Sequence, residues 1–112
     1  MVTDRNAQRG HVYLVSLDRT EGSEIRKTRP CVVVSPDELN QHMRTCIVAP
    51  MTTGSHNYPF RARCQFHGKS GHVVLDQIRT VDRRRLVREL GTLSAQALEK
   101  SLRVLTEMFD PQ

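Results

Sequence analysis

The apolar residues of this chain occur in short blocks rich in β-branched side chains, and polar segments separate the blocks. Three blocks span residues 11–17, 31–35 and 45–50, and the segment 35–42 (SPDELNQH) is typical of the turns between them. Gly, Pro, Asp, Asn and Ser in these segments supply the backbone angles and local hydrogen bonds that turns require. Short strands with no helix between them favour a compact antiparallel sheet or barrel.

The pattern continues through blocks at 60–66 and 71–78 and through shorter ones at 79–81 and 88–93, so five to seven strands are predicted. After residue 93 the spacing of the apolar residues changes to that of a helix. Ser94 is a typical N-cap, and apolar side chains follow at helical spacing in Leu98, Leu102, Leu105 and Phe109. This predicts one amphipathic C-terminal helix. Its stripe could pack on a second copy, but a chain with one small core favours closure of the barrel end.

A chain of 112 residues with 26% charged residues has the length and composition of one globular domain, so residues 1–112 are expected to fold as a unit. It carries 17 Lys and Arg residues against 12 Asp and Glu, a formal net charge of +5 at pH 7. This excess favours encounters with polyanions such as nucleic acid or anionic surfaces, and charge alone does not choose between them.

The cysteines, Cys31, Cys46 and Cys64, are odd in number and lack C-x-x-C spacing, and two of them lie in strand-like runs. They are expected to be reduced core residues. The N-terminus has no apolar signal region, and no apolar run approaches the roughly 18 residues needed to cross a bilayer. These features together predict a cytoplasmic protein.

The chain contains no glycine-rich nucleotide-binding motif and no paired Cys and His spacing typical of zinc ligands. The histidines are scattered over turns and strand ends, where solvated positions are expected: His11, His42, His56, His67 and His72. The sequence therefore predicts neither a metal site nor a cofactor.

Arg29 precedes Pro30 at the entrance of the second predicted strand. Proline has a fixed φ and no N–H, and it biases the preceding residue toward an extended backbone, so the guanidinium is held at a rigid boundary. An arginine in a fixed position binds phosphate through two parallel hydrogen bonds. Other polar candidates lie at predicted strand ends, with the last three inside a predicted strand: Ser23, Glu24, Lys27, Thr28, Thr52, Thr53, Asp76, Gln77 and Arg79.

Loops gathered at one end of a barrel can converge into a single site. These residue types suit phosphodiester chemistry, in which a guanidinium stabilises charge on phosphorus and hydroxyl groups hold the non-bridging oxygens. They also fit an ordinary solvated surface, and composition leaves both interpretations open. The same two interpretations, a groove along an RNA backbone or a solvated face, apply to the basic residues Arg26, Lys27, Arg83, Arg84, Arg85 and Arg88.

Four motifs favour the first interpretation by their order and separation: GSEIRKTRPCVVVSPDELN, IVAPMTTG, YPF and GKSGHVVLDQIRTVD. Together they resemble the MazF/PemK family of toxin endoribonucleases, from Arg9 and Gly10 to the final helix. The resemblance implies an SH3-like β-barrel with a C-terminal helix, assembled as a homodimer. It also implies cleavage of single-stranded RNA, usually messenger RNA, at a short sequence without metal or cofactor, which inhibits translation and growth.

The implied chemistry is attack of a ribose 2′-OH on its own 3′-phosphate, which leaves 2′,3′-cyclic phosphate and 5′-OH ends. The implied partner is a small acidic antitoxin whose disordered C-terminal segment covers the RNA groove, and the positive net charge fits such a partner. Three alternatives stay open: a catalytically inactive SH3-like binding module, a CcdB-type toxin that targets gyrase, and a purely structural barrel.

By resemblance, Arg29 and Thr52 are the catalytic residues, and Glu24 is expected to bind substrate or organise the site. Asp76 matches an aspartate implied in proton transfer in PemK-type members. Two further groups of that PemK-type site are missing, because Val74 stands in place of an arginine and Ser23 in place of a histidine. The chain is thus closer to the MazF branch. The remaining residues expected to bind RNA are Ser23, Lys27, Thr28, Thr53, Gln77 and Arg79.

Overall fold

The structure is a computed structural model that describes residues 7–17, 22–23, 27–54 and 56–111. Its seven strands are β1 His11–Leu17, β2 Lys27–Val33, β3 Thr45–Thr53, β4 Arg61–Phe66, β5 Lys69–Val74, β6 Arg79–Asp82 and β7 Leu86–Thr92. Two α-helices, α1 Asp37–His42 and α2 Ala95–Met108, and two 3₁₀ turns, Leu75–Gln77 and Arg83–Arg85, complete the described elements.

All recorded strand pairs are antiparallel, in the order β4-β5-β3-β2-β1-β7, with β6 also paired to β3. The strand β3 is central, because its first half pairs with β6, its last three residues pair with β5 and its other edge pairs with β2. The prediction of a mainly β, barrel-like fold with a C-terminal helix is confirmed. Among the described strands, no pair between β4 and β7 closes the sheet.

The central strands are buried on both faces. Val12, Val32 and Ala49 belong to a core layer beneath α2, whereas alternate residues such as Cys31 and Val48 form a second layer on the opposite face. Side chains alternate between the two faces of a strand, so a strand covered on both sides carries a nearly continuous apolar run. This explains the runs at 31–34 and 46–51 of the sequence.

The C-terminal helix begins as predicted, because the Ser94 hydroxyl accepts a hydrogen bond from the Ala97 backbone N–H. Its most buried residues are small or β-branched, Ala97, Ser101 and Val104, and the predicted leucines pack at the edges of this face. The prediction that Phe109 belongs to the apolar stripe of this helix is wrong. Phe109 lies beyond the last helical residue, Met108, and 70% of its surface is exposed.

Two local predictions were also wrong. Residues 37–42 form the helix α1 instead of a turn; Asp37 and Glu38 in its first turn complement the helix dipole, and six residues are too few to show an apolar period. The strand predicted at 71–78 ends at Val74. Asp76 and Gln77 therefore lie in a 3₁₀ turn, in which the chain leaves β5 for β6.

The three cysteines are free, as predicted, with Cys31 and Cys46 buried and Cys64 half-buried. Burial raises the pKa of Cys31 to about 12 and that of Cys46 to about 11, so both stay thiols at neutral pH. Within the part of the chain that the structure describes, no helix has both the length and the apolarity to cross a membrane.

Candidate active site

Arg29 lies in the exposed first half of β2, opposite Val15 of β1. The strand carries the side chain into solvent just before Pro30 and the buried residues from Cys31 onward. Within the described residues, the Arg29 guanidinium makes no hydrogen bond or ion pair. An exposed guanidinium without a protein partner keeps all its donors for an anion.

The strand register brings Thr52 toward Arg29. The pairs Val33 with Val48 and Cys31 with Pro50 define the β2–β3 ladder, which ends at the second pair. Two residues further along each strand lie Arg29 and Thr52, on the same face as Cys31 and Pro50. Beyond Pro50, β3 turns away from β2 and pairs with β5. The two residues thus stand where the strands diverge, and this opening forms a cavity.

The cavity has a volume of about 280 Å³ and is lined by three of the predicted residues, Arg29, Thr52 and Thr53. The hairpin between β4 and β5 supplies another wall with Phe66, His67 and Lys69, together with Cys64, Gly71 and the β7 residue Leu90. The structure therefore brings the two predicted catalytic residues into one cavity with a second cation, Lys69.

Sequence reasoning missed the hairpin residues Phe66, His67 and Lys69. The rings of Phe66 and His67 stack with centroids 4.0 Å apart and an interplanar angle of 16°. His67 and Gly68 both have positive φ, 49° and 76°, as a two-residue type I′ hairpin turn requires. The His-Gly dipeptide was the available signal for this turn, but the approach of its tip to Arg29 depends on pairing between distant strands.

The Thr52 hydroxyl is shielded from solvent and has no hydrogen-bond partner among the described residues. His72 of β5 lies directly opposite Thr52, and both of its ring nitrogens are likewise shielded and unpartnered. The prediction that His72 is solvated is wrong, since only 6% of its surface is exposed. Burial lowers the pKa of His72, and the charges of Arg63, Arg61 and Lys100 lower it further.

Gly71 keeps β3 and β5 close beside this pair. A Cβ atom on Gly71 would lie 1.9 Å from the carbonyl oxygen of Thr52, so no other residue fits without movement of the backbone. The glycine lines the cavity at Arg29 and also a second one of about 270 Å³, which His72 and Arg63 line. The two cavities are therefore neighbours across Gly71.

Asp76 does not line the Arg29 cavity. Its carboxylate accepts two hydrogen bonds from the Arg61 guanidinium, at 3.0 and 3.3 Å. Arg61 lies opposite Val74 in the β4–β5 pair, and its guanidinium is 5.0 Å from the centre of the Tyr58 ring. A guanidinium from the neighbouring strand thus reaches Asp76, although residue 74 itself is a valine.

The other predicted residues that the structure describes do not line the Arg29 cavity. Lys27, the first residue of β2, has a positive φ of 71°, an uncommon conformation for a non-glycine residue. Arg79 lies opposite Val48 and lines a separate cavity of about 180 Å³. Ser23 and Thr28 are exposed, Gln77 is half-buried, and Glu24 lies outside the described residues.

Some of the arginines that follow β6 form hydrogen bonds or ion pairs with nearby residues of the protein. Arg84 forms an ion pair with Asp82 at 3.1 Å, and its backbone N–H also donates to Asp82. That backbone hydrogen bond, with the Arg84 side chain, lowers the pKa of Asp82. Arg85 donates to the carbonyl oxygen of Ser16, and Arg88 on β7 is exposed. Arg26 lies outside the described residues.

The described residues contain no group of three or more His, Cys, Asp or Glu side chains arranged to hold a metal ion. What the Arg29 cavity offers instead is a free guanidinium, a hydroxyl and an ammonium group. These groups suit the binding of a phosphate oxyanion by hydrogen bonds and charge.

Comparison with known proteins shows that the chain is similar to members of one family. The family model described as a PemK-like, MazF-like toxin of type II toxin-antitoxin system matches residues 8–109. The endoribonuclease MazF of Staphylococcus epidermidis is 34% identical over 93 residues, which cover 78% of each chain.

Solved structures agree with this match. The crystal structure of MazF from Deinococcus radiodurans superposes with a TM-score of 0.83 at 27% identity, covering 96% of this chain and 100% of that one. A crystal structure of MazE-MazF from the same organism superposes with a TM-score of 0.77 at 25% identity, covering 97% and 100%.

Proposed function

The chain belongs to the PemK-like, MazF-like family of toxins of type II toxin-antitoxin systems, and from this we propose that it is an endoribonuclease that cleaves single-stranded RNA. The observation that carries the proposal is the presence of Arg29 and Thr52 in one cavity, where β2 and β3 diverge. Cleavage of messenger RNA by such an enzyme inhibits translation and growth.

The proposed reaction is an internal transfer at phosphorus. The ribose 2′-oxygen forms a bond to the adjacent phosphorus, the bond from phosphorus to the 5′-oxygen breaks, and the products are a 2′,3′-cyclic phosphate and a 5′-OH end. The 2′-hydroxyl loses a proton and the leaving 5′-oxygen gains one. DNA has no 2′-hydroxyl and is not a substrate.

Arg29 is proposed to stabilise the transition state electrostatically. Negative charge accumulates on the non-bridging oxygens as the five-coordinate phosphorus forms, and a guanidinium can donate two parallel hydrogen bonds to those oxygens. Arginine keeps its proton in proteins, so it serves as a fixed charge and not as a base. Its exposure and its lack of a protein partner among the described residues support this role.

Thr52 is proposed to donate a hydrogen bond to a phosphate oxygen, and Thr53 and Lys69 to hold the neighbouring backbone. The Thr52 hydroxyl is shielded in the free protein, so the proposed contact requires its side chain to rotate when RNA enters the cavity. Proton transfer by Asp76 stays a prediction, since its carboxylate is bound to Arg61 outside the cavity lining. The remaining RNA contacts stay predictions as well: Ser23, Glu24, Lys27, Thr28, Gln77 and Arg79.

The proposed partners follow from the same family. The MazE-MazF structure supports binding of a cognate antitoxin, and the net charge of +5 favours an acidic one. A homodimer in the cytoplasm is proposed as the working form.

The test is incubation of the purified protein with a mixed pool of RNA in EDTA, followed by mapping of new 5′-OH ends. We expect cuts at one short sequence, with 2′,3′-cyclic phosphate on the upstream fragments, and no cutting of DNA of the same sequence. An Arg29→Ala protein serves as the control for contaminating nucleases. RNA that stays intact with the wild-type protein, or cuts that the Arg29→Ala protein reproduces, would refute the proposal and favour a binding module or a gyrase-directed toxin.

A further inference from the structure

Three polar residues form one row across the strands β3, β5 and β4 beside the Arg29 cavity. The recorded pairs are Thr52 with His72 and His72 with Arg63, and Arg29 lies beyond the last β2–β3 pair, in the cavity that Thr52 also lines. Residues that face each other in antiparallel strands point to the same side of the sheet. His72 therefore lies between the proposed phosphate-binding hydroxyl of Thr52 and the guanidinium-bearing strand β4.

The neighbours Thr52 and His72 share an unusual property. Three polar atoms, Thr52 Oγ1 and His72 Nδ1 and Nε2, are shielded from solvent without a partner among the described residues. Buried polar side chains in native proteins nearly always have a partner, and each exception calls for an explanation. The Cβ atoms of directly opposed residues lie about 5 Å apart, so rotation of the two side chains suffices to bring the ring to the hydroxyl.

We propose that His72 is a positioning residue for Thr52: a ring N–H of His72 donates to Thr52 Oγ1 in the RNA-bound enzyme, and the hydroxyl proton then points to the phosphate. The inference rests on the endoribonuclease function proposed above. A hydroxyl that accepts one hydrogen bond becomes a better donor in another, because chains of hydrogen bonds polarise one another. Without His72, the Thr52 hydroxyl is free to rotate away from the phosphate.

The surroundings of His72 keep its ring neutral. Burial lowers the pKa of the ring, and the positive charges of Arg63 and Arg61 on β4 and Lys100 on α2 lower it further. A neutral imidazole has one N–H donor and one acceptor nitrogen, so the ring donates to Thr52 with one nitrogen and accepts with the other. The second nitrogen is free to accept a proton donor from the neighbouring cavity, which Asn57, Arg63 and Ser70 line with His72.

A double-mutant cycle tests the proposal. The substrate is a short fluorogenic RNA that carries the sequence mapped with the wild-type protein, and cleavage is measured under single turnover for His72→Phe, Thr52→Val and both together. Loss of one hydrogen bond at the transition state predicts that His72→Phe lowers the maximal single-turnover rate constant about 5- to 10-fold, with little change in the enzyme concentration that gives half of that rate. In the Thr52→Val background the same substitution should cost nothing further, because its effect passes through the hydroxyl.

A second pair of variants separates hydrogen bonding from packing. Gln and Met have similar size, but only Gln carries an N–H donor, so His72→Gln should cleave several-fold faster than His72→Met. Melting curves check that each protein folds, and His42→Phe on the exposed face of α1 is the matched control with unchanged activity.

Several outcomes overturn the inference. An equal loss from His72→Phe with and without the Thr52 hydroxyl, or equal rates for His72→Gln and His72→Met, shows that His72 does not act through Thr52, while the endoribonuclease function stands. A wild-type protein that leaves every RNA intact overturns the proposed function, and the role of His72 with it.

Discussion

Two pairs of polar side chains in this protein differ in whether their buried polar atoms have hydrogen-bond partners. The first pair, Ser35 and Asn40, holds α1 against β3. The Ser35 hydroxyl donates to Asn40 Oδ1 at 2.5 Å, Asn40 Nδ2 donates to the Ser35 carbonyl at 3.0 Å, and the Ile47 backbone N–H donates to Ser35 Oγ at 2.9 Å. The second pair, Thr52 and His72, has no recorded partner for its hydroxyl or for either ring nitrogen among the described residues.

This difference distinguishes polar groups that stabilise the fold from polar groups that serve the candidate site. A buried polar group without a partner costs about 1–3 kcal/mol, so the fold gains nothing from leaving Thr52 and His72 unpaired. The first pair satisfies itself and adds rigidity at a distance from the Arg29 cavity. In the second pair, Thr52 lines that cavity and His72 lines the neighbouring one, so RNA bound there can supply the missing partner of the Thr52 hydroxyl. The variants described below test this contrast.

Arg29→Lys should have the largest effect on cleavage. It keeps the positive charge but loses the two-pronged donor, and loss of a preorganised donor to an oxyanion typically costs about 100- to 1000-fold in rate. The measurement is single-turnover cleavage of the mapped RNA. Arg84→Lys, whose arginine is paired with Asp82, is the control with an unchanged rate. Wild-type activity in Arg29→Lys would mean that planar recognition of phosphate is not needed.

Thr52→Val should lower the rate by about 100-fold and leave the fold intact. Because the substitution removes a buried hydroxyl that has no partner, the free energy of unfolding should stay within about 1 kcal/mol of the wild-type value or rise. Cleavage assays and urea titrations measure the two quantities. Thr92→Val, at an exposed position on β7, is the control. A large loss of stability would erase the contrast between the two polar pairs.

Asn40→Ala should show the opposite behaviour. It leaves the buried Ser35 groups without their amide partner, so the free energy of unfolding should fall by about 1–3 kcal/mol. The rate of cleavage per folded molecule should not change. Gln41→Ala, on the same helix but exposed, should have little effect on either quantity. If Asn40→Ala instead reduced cleavage in fully folded protein, the first pair would also serve the site.

The smallest effect concerns pH. The folded protein lowers the pKa of His72 below its ordinary value of 6.5, chiefly through burial, with Arg63, Arg61 and Lys100 adding to the effect. As pH falls through 6.5, the unfolded chain therefore binds a proton that the folded state resists, and stability is lost toward acid pH. Relative to His72→Phe, the wild type should therefore lose stability between pH 7.5 and about 5. Urea titrations at both pH values measure this difference, and parallel pH curves for the two proteins would contradict it.

Much of the fold could be predicted because its signals are local. The β-branched blocks became strands, and Ser94 began the helix α2 as predicted. The helix α1 and the 3₁₀ turn at Leu75–Gln77 could not be predicted, because segments of six and three residues are too short to show a period. The exposure of Phe109 depends on where the helix ends over the sheet, which the apolar spacing does not report.

The same distinction between local signals and tertiary contacts applies to the candidate site. The sequence by itself determined the strands and the position of Arg29 before Pro30, because φ restriction and side-chain alternation act between neighbouring residues. Resemblance to a family added Thr52. Only the tertiary structure decided that the β4–β5 hairpin lines the cavity, that Asp76 binds Arg61, and that His72 lies buried beside Thr52. These contacts join residues far apart in the chain, and they are fixed by strand register and burial, which no single segment encodes.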